Sequence, residues 1–167
     1  MTSDSAGNLW IAVPTYWTWP TTERGEEPAV FDHPTPLDEA GTLARTLESF
    51  THLRGRFKVL LVAAGSHPAL GPRIGRRVAE LARPFADRLD IYLASPAHLA
   101  ALNAALPDPI LGLDSYGNIR NVQLIVPFAL GADGVIGIDD DEIIPDPDFL
   151  AKAARIGTRR PDGQLID

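Results

Sequence analysis

The sequence predicts an α/β fold, a mostly parallel sheet with helices on both faces, and three observations carry that prediction. Short apolar runs bounded by Gly or Pro recur along the chain: Leu9–Val13, Phe57–Ala63, Asp90–Ala94 and Gly134–Ile138. Runs of this length and composition read as strands buried on both faces, as in a parallel sheet. Between them lie stretches with apolar residues three and four apart, the period of a helix that covers a sheet. A strand, a crossover helix and a further buried strand make a right-handed βαβ unit.

The elements follow in order. Leu9-Trp10-Ile11-Ala12-Val13 is the first strand, closed by Pro14. From Thr15 to Pro34 the chain carries Tyr16, Trp17, Trp19 and several prolines with no regular period, and it reads as a long loop packed over the sheet edge. Thr35-Pro36-Leu37-Asp38 has the form of a helix start, with Thr as cap, Pro at the first position and acid in the first turn. Leu37, Ala40, Leu43, Leu47 and Phe50 continue it as one apolar stripe, ending by Gly55. After the second strand and the turn Ala64-Gly65-Ser66, a helix is marked by Ile74, Val78, Leu81 and Phe85, with Arg73, Arg76, Arg77 and Arg83 on a solvated face. The third strand is followed by a weakly capped helix over 96–106. Ser115 caps a helix carrying Ile119, Val122, Ile125, Val126, Ala129 and Leu130. With Leu124 and Phe128 added it is apolar nearly all round, so burial is expected, with a kink at Pro127 or a break near Gln123. Asp146 or Asp148 caps a last helix over 149–155, and 163–167 reads as the start of another strand.

Composition narrows the function. One domain spanning 1–167 is expected, with 158–167 as its tail. The formal charge is −7 and no Lys/Arg run forms a phosphate-binding patch, so nucleic acid is excluded as the main partner. Cysteine is absent, which leaves carboxylates, amides and imidazoles as metal ligands and favours hard cations such as Mg²⁺ or Mn²⁺. No leader and no apolar stretch of membrane-spanning length stands out, so a cytoplasmic location is expected.

The chemistry concentrates at Gly134-Val135-Ile136-Gly137-Ile138-Asp139-Asp140-Asp141-Glu142, an apolar run ending in four consecutive acids. Acids at the carboxyl end of a strand stand where open α/β sheets place their ligand crevice. Two carboxylates about 7 Å apart repel by about 2 kcal/mol at an effective dielectric near 20, a cost that a bound dication turns into affinity. There is neither a GxxxxGK[ST] loop nor a GxGxxG after the first strand to hold phosphates. A carboxylate-held metal is the economical way to neutralise a diphosphate.

These residues resemble the family 2 glycosyltransferases. Val13-Pro14-Thr15-Tyr16 is similar to that family's first-strand motif, Leu43 to Phe50 to its first helix, and Gly117-Asn118-Ile119-Arg120-Asn121 to the Arg-Asn segment before its metal strand. Ile138-Asp139-Asp140-Asp141 followed by Pro145-Asp146-Pro147-Asp148-Phe149-Leu150 is the closest part of the match. The resemblance implies a GT-A (Rossmann-like) fold whose first half binds a nucleotide-diphospho-sugar with Mg²⁺ or Mn²⁺. It implies Asp141 as direct metal ligand, Asp139 at the metal site as orienting the ribose or a metal-bound water, and Asp140 as contacting the donor sugar or ribose. It also implies Arg120 and Asn121 beside the nucleotide, and Pro14, Thr15 and Tyr16 lining the base pocket.

Two departures stand out. Where the family has Asp-Asp-Gly-Ser after the second strand, this chain has Ala63-Ala64-Gly65-Ser66, so the base-reading carboxylate is missing; His67 lies beside the turn. None of Glu142, Asp146, Asp148, Asp162 or Asp167 matches the family's downstream general base. The expectation is a donor-binding half, with the native chain longer, a partner completing it, or transfer not catalysed. Three alternatives stand beside the transferase: a non-catalytic binding module, with the Trp17/Trp19 loop or a free sheet edge docking a partner or forming a homodimer; a nucleotidyltransferase; and a phosphohydrolase with Asp139 as nucleophile.

Overall fold

In the computed structural model, which describes residues 8–23, 25, 31–158 and 160–165, the chain forms a five-stranded, all-parallel sheet. Its strands are β1 (Leu9–Thr18), β2 (Thr35–Pro36), β3 (Phe57–Gly65), β4 (Ile91–Ala94) and β5 (Gly134–Gly137). The order runs β4, β3, β1, and β1's other edge is shared by β5 and β2. Residues 9–12 of β1 pair with β5, and Trp17 and Thr18 pair with β2.

The five α-helices are α1 (Leu43–Phe50), α2 (Gly71–Ala82), α3 (Pro96–Ala104), α4 (Tyr116–Ala129) and α5 (Phe149–Ala153). Side chains alternate across a strand, and here the alternation divides the core in two. Ile11, Val13, Val59, Leu61 and Ala63 point to the face covered by α1 and α2, where they meet Leu43, Leu47, Phe50, Ile74 and Val78. Trp10, Ala12, Leu60, Val62 and Ala64 point the other way, onto Leu99, Ile119 and Val122 of α3 and α4. The α/β class with helices on both faces is therefore the observed one.

Several elements differ from expectation, each for a physical reason. β1 does not close at Pro14; it runs on to Thr18, so Thr15–Thr18 is strand and Trp17 is core. The carbonyls of Ala12 and Thr18 face the β5/β2 edge, accepting from the Ile138 and Leu37 N–H groups. Pro14, in phase with them, turns its nitrogen to the gap between those partners, so its missing N–H costs no ladder bond.

Thr35-Pro36 does not start α1 but forms β2, and the Asp38 carboxylate is spent on Thr21, accepting from its backbone N–H at 2.9 Å and its hydroxyl at 2.5 Å. Gly41 then sits at φ +61°, and α1 begins only after it. The arginines of α2 are not all free: Arg73 makes a bidentate pair with Glu23, and Arg77 donates to the Glu39 carbonyl at 2.7 Å. They fasten the segment between β1 and α1 to the helix.

Helix α3 is capped after all, by a box in which His98 Nδ1 accepts from the Ser95 N–H at 3.4 Å and meets the Ser95 hydroxyl at 2.9 Å. Helix α4 begins at the Ser115 cap, as expected. It passes Gln123 unbroken and takes Pro127 into its last turn, closed by Gly131 at φ +81° with Ala132 N–H on the Pro127 carbonyl. It is not buried all round, since Leu124, Phe128 and Leu130 are exposed. β5 is half-buried rather than buried, because it is an edge strand. The last helix is five residues long. Asp148 stands at its cap position without a side-chain capping bond, its carboxylate accepting instead from Arg54 at 3.1 Å, while Asp146 accepts from the Asp148 N–H and pairs with Lys152. The tail makes a turn in which the Arg160 N–H meets the Gln164 carbonyl; of the strand expected over 163–167, the last two residues lie outside the described ones. Among the described residues no helix is long and apolar enough to cross a membrane.

Candidate functional site

The connections of the sheet reverse at β1. The chain steps outward to β3 and β4 on one side, then returns to place β5 on the other. In open α/β sheets, ligands bind at the carboxyl ends of the strands where this reversal occurs. At this point β1 has a gap, since among the described residues none pairs as a strand with residues 13–16 on the edge that β5 and β2 share. A crevice of about 290 Å³ opens there, lined by Tyr16, Asp32, His33, Thr35, Tyr116, Arg120, Asp139, Asp140 and Asp141.

The acid turn is fixed from three sides. Asp139 N–H donates to the Glu142 carboxylate at 2.9 Å, and Glu142 N–H returns to the Asp139 carbonyl at 3.1 Å. Thr46 of α1 donates its buried hydroxyl to the Asp140 carbonyl at 2.7 Å, and Arg45 reaches the Asp141 carbonyl at 3.4 Å. The backbone oxygens are thereby satisfied and the carboxylates left for the crevice. Burial raises the Asp140 carboxyl above its ordinary range, opposed by the Thr15 hydroxyl and reinforced by the charges of Asp141 and Asp139. The Thr15 Oγ1 is itself buried, with no partner of normal hydrogen-bond geometry among the described residues.

On the α4 side, Arg120 stands with Nη2 3.6 Å from Asp139 Oδ1. Three aromatic rings build the remaining wall: Tyr16 lies 4.8 Å from Phe31 and 5.5 Å from Tyr116, and Phe31 lies 5.4 Å from Tyr116. The Tyr116 hydroxyl accepts from the Asp32 N–H at 2.8 Å, which holds the loop carrying Asp32 and His33 against the crevice. Burial pushes the Tyr16 hydroxyl up to about 12, with Arg120 pulling it back and Tyr116, Asp139 and Asp140 adding to the rise. Tyr16 therefore stays protonated at neutral pH, with a proton it can donate to a ligand.

Of the residues singled out from the sequence, Tyr16, Arg120, Asp139, Asp140 and Asp141 meet in this crevice. Pro14 and Thr15 are buried in β1 behind it, and Asn121 is exposed on α4 without lining it. Asp32, His33, Thr35 and Tyr116 complete the lining. Nothing local in the sequence marks the first three, which sit in a Pro-rich connection, and Tyr116 carries no signal beyond following the Ser115 cap. His67 is occupied structurally, since its Nδ1 accepts from the Ala69 N–H at 3.1 Å and caps the turn after β3.

Carboxylate oxygens suit a hard divalent cation. Among the described residues no group of three or more His, Asp or Glu side chains is placed to cage a metal. A cation held by Asp139 and Asp141 would therefore complete its shell from water and from a bound ligand, the usual habit of Mg²⁺. On donor chemistry the residues fit. A larger cavity of about 490 Å³ lies at the opposite, amino ends of the strands, beside Arg56, Lys58 and Arg88. Arg88 is paired there with Glu48.

Fold and site together define a parallel α/β domain with an acidic crevice at its topological switch point. In comparisons with protein-family models, curated proteins and solved structures, no match to the chain is found.

Proposed function

We propose that the chain is a GT-A-type domain of family 2 glycosyltransferase kind, which binds a nucleotide-diphospho-sugar with Mg²⁺ or Mn²⁺ and delivers the sugar to a hydroxyl acceptor. One observation carries the reading: three aspartates and an arginine share a crevice at the carboxyl end of the first and last strands. A diphosphate bridged to a cation needs both, acids for the metal and a guanidinium for the phosphate oxygens.

In this reading Asp139 and Asp141 hold the cation, which when bound neutralises charge on the departing diphosphate. Arg120 offers its planar fork to the same phosphates. The Asp140 carboxyl and the Tyr16 hydroxyl offer hydrogen bonds to sugar or ribose hydroxyls. Tyr16, Phe31 and Tyr116 give the ligand a flat apolar wall. Pro14 and Thr15 form the floor behind the crevice.

The test is calorimetry of Mn²⁺ with a panel of nucleotide-diphospho-sugars. Binding that needs both metal and nucleotide, and that Asp141→Ala abolishes, is expected. Absence of binding by every nucleotide, with or without metal, overturns the reading.

A second reading is favoured by the apolar face of α4, where Leu124, Phe128 and Leu130 are exposed. There the same fold is a non-catalytic module that docks a partner or a second copy. A stable dimer without affinity for any nucleotide would establish it over the first.

A further inference from the structure

We propose that Gln123 is the positioning residue of the crevice, holding Arg120 open as its anion-binding group; the inference rests on the donor-binding reading above.

Gln123 is a polar residue on α4 that is 3% exposed. A buried amide must find partners for both its ends, and these are specific. Its Nε2 donates to the Ala12 carbonyl of β1 at 3.0 Å, and its Oε1 accepts from Arg120 Nη1 at 3.2 Å. The amide admits only this orientation, because the flipped form would set its oxygen against a carbonyl and its NH₂ against a guanidinium. The same Ala12 carbonyl accepts the Ile138 N–H at 3.2 Å, the last backbone contact before the acid turn. One oxygen of β1 thus fixes both the acids and the side chain that holds the arginine.

The hold leaves Arg120 in a particular state. Its Nη2 stands 3.6 Å from Asp139 Oδ1, longer than a hydrogen bond. The guanidinium forms no other hydrogen bond among the described residues, so most of its five N–H donors are unspent. It lies over Gly137 at the end of β5, where an added Cβ would come 3.5 Å from Nη1. A guanidinium released from this grip would close onto Asp139 as a direct fork-to-carboxylate pair. That collapse would take the arginine from an incoming anion and the aspartate from a cation. Gln123 opposes it, leaving the two charges as a 3.6 Å ion pair without a direct hydrogen bond.

The experiment uses the whole chain with Mn²⁺ and inorganic pyrophosphate as probe, read by calorimetry, with thermal unfolding run on every variant. Gln123→Leu is expected to weaken pyrophosphate binding about tenfold, the scale of one lost hydrogen bond to a charged group. Gln123→Glu sets a carboxylate oxygen against the Ala12 carbonyl and pairs Arg120 directly, so it is expected to weaken pyrophosphate binding at least as much as Gln123→Leu. In the double variant Gln123→Leu/Arg120→Gln, the loss should equal that of Arg120→Gln alone, since the amide acts through the arginine. Gln123→Met replaces Gln123→Leu in the cycle if the leucine variant does not fold. Additive losses, or unchanged pyrophosphate affinity in a folded Gln123→Leu, would overturn the inference and reduce Gln123 to a packing residue. Pyrophosphate binding that survives Arg120→Gln overturns it while leaving the donor reading standing. Failure of wild type to bind either manganese pyrophosphate or any nucleotide overturns both.

Discussion

Thr46 on α1 donates its hydroxyl to the carbonyl of Asp140 at 2.7 Å, so the helix that follows the first strand holds the acid turn that follows the last. Thr46 is wholly buried, and its oxygen is the turn's anchor on that side of the sheet. Thr46→Val keeps the shape and removes the donor, leaving a carbonyl short of a partner. Loss of about 1–3 kcal/mol of stability is expected in urea unfolding, with Thr46→Ser recovering most of it. A folded Thr46→Val should also bind Mn²⁺ less well, because the turn that presents Asp139 and Asp141 is looser.

The aspartates carry a cost in the absence of a cation. Asp140 is half-buried beside two like charges, and its carboxyl is displaced upward by burial and by Asp141 and Asp139. In the metal-free protein, Asp140→Asn removes that repulsion and should raise the melting temperature by a few degrees, the effect of about 1 kcal/mol in a domain of this size. With Mn²⁺ added, wild type should gain more than the variant. Asp139→Asn and Asp141→Asn should each lose the metal-dependent gain. Equal response to Mn²⁺ in wild type and Asp141→Asn would remove that residue from the metal site.

Much of this architecture is written locally. Strands β1, β3 and β4 announce themselves as apolar runs, and Ser115 marks the start of α4 through its bond to the Asn118 N–H. The misreadings share one cause, that local chemistry does not say what lies alongside. Pro14 is a strand breaker only where its nitrogen faces a partner, and at its place on β1 no described strand supplies one. Thr35 and Pro36 have the chemistry of a helix start, yet pairing with Trp17 and Thr18 claims them first. The apolar residues of α4 look buried in sequence, but Phe128 is 78% exposed because no described residue covers the outer side of the helix. In the site, the contiguous acids are conspicuous. Asp32, His33 and Gln123 reach the crevice or its support only through the fold, from positions far apart in the chain.

Acid should loosen the fold through a small set of carboxylates. Glu23 is held below its ordinary value by the hydrogen bond to Arg73, Glu48 by that to Arg88, Asp38 by the Thr21 hydroxyl, and Asp146 by Lys152. Each binds its proton more weakly folded than unfolded. Their stabilisation is therefore complete above the ordinary carboxylate range and is lost as pH falls through the lower folded values. Asp140, displaced upward, acts in the opposite sense and favours the folded state as it protonates. The contribution of these four to the melting temperature should therefore decline as pH falls below the ordinary carboxylate range. Glu48→Gln should make that decline shallower, and 1 M NaCl should reduce the difference between the two proteins because the pair is exposed to screening.

His33 is the one described non-glycine residue with positive φ, at 51°, and it stands on the crevice wall. The left-handed region costs an L-residue about 1–2 kcal/mol, and glycine escapes that cost while giving up about 0.5–1 kcal/mol of backbone entropy. His33→Gly should therefore leave stability unchanged or raise it by up to about 1.5 kcal/mol, whereas β-branched His33→Val should lower it. Strained backbone persists where surrounding contacts hold it. Here those are the Tyr116 hydroxyl on the Asp32 N–H and the packing of Phe31 on Tyr16. If the imidazole touches the ligand, His33→Gly will keep its fold and lose affinity for the manganese nucleotide complex. If the backbone turn alone matters, it will keep both, and parallel urea unfolding and calorimetry on this one variant decide between them.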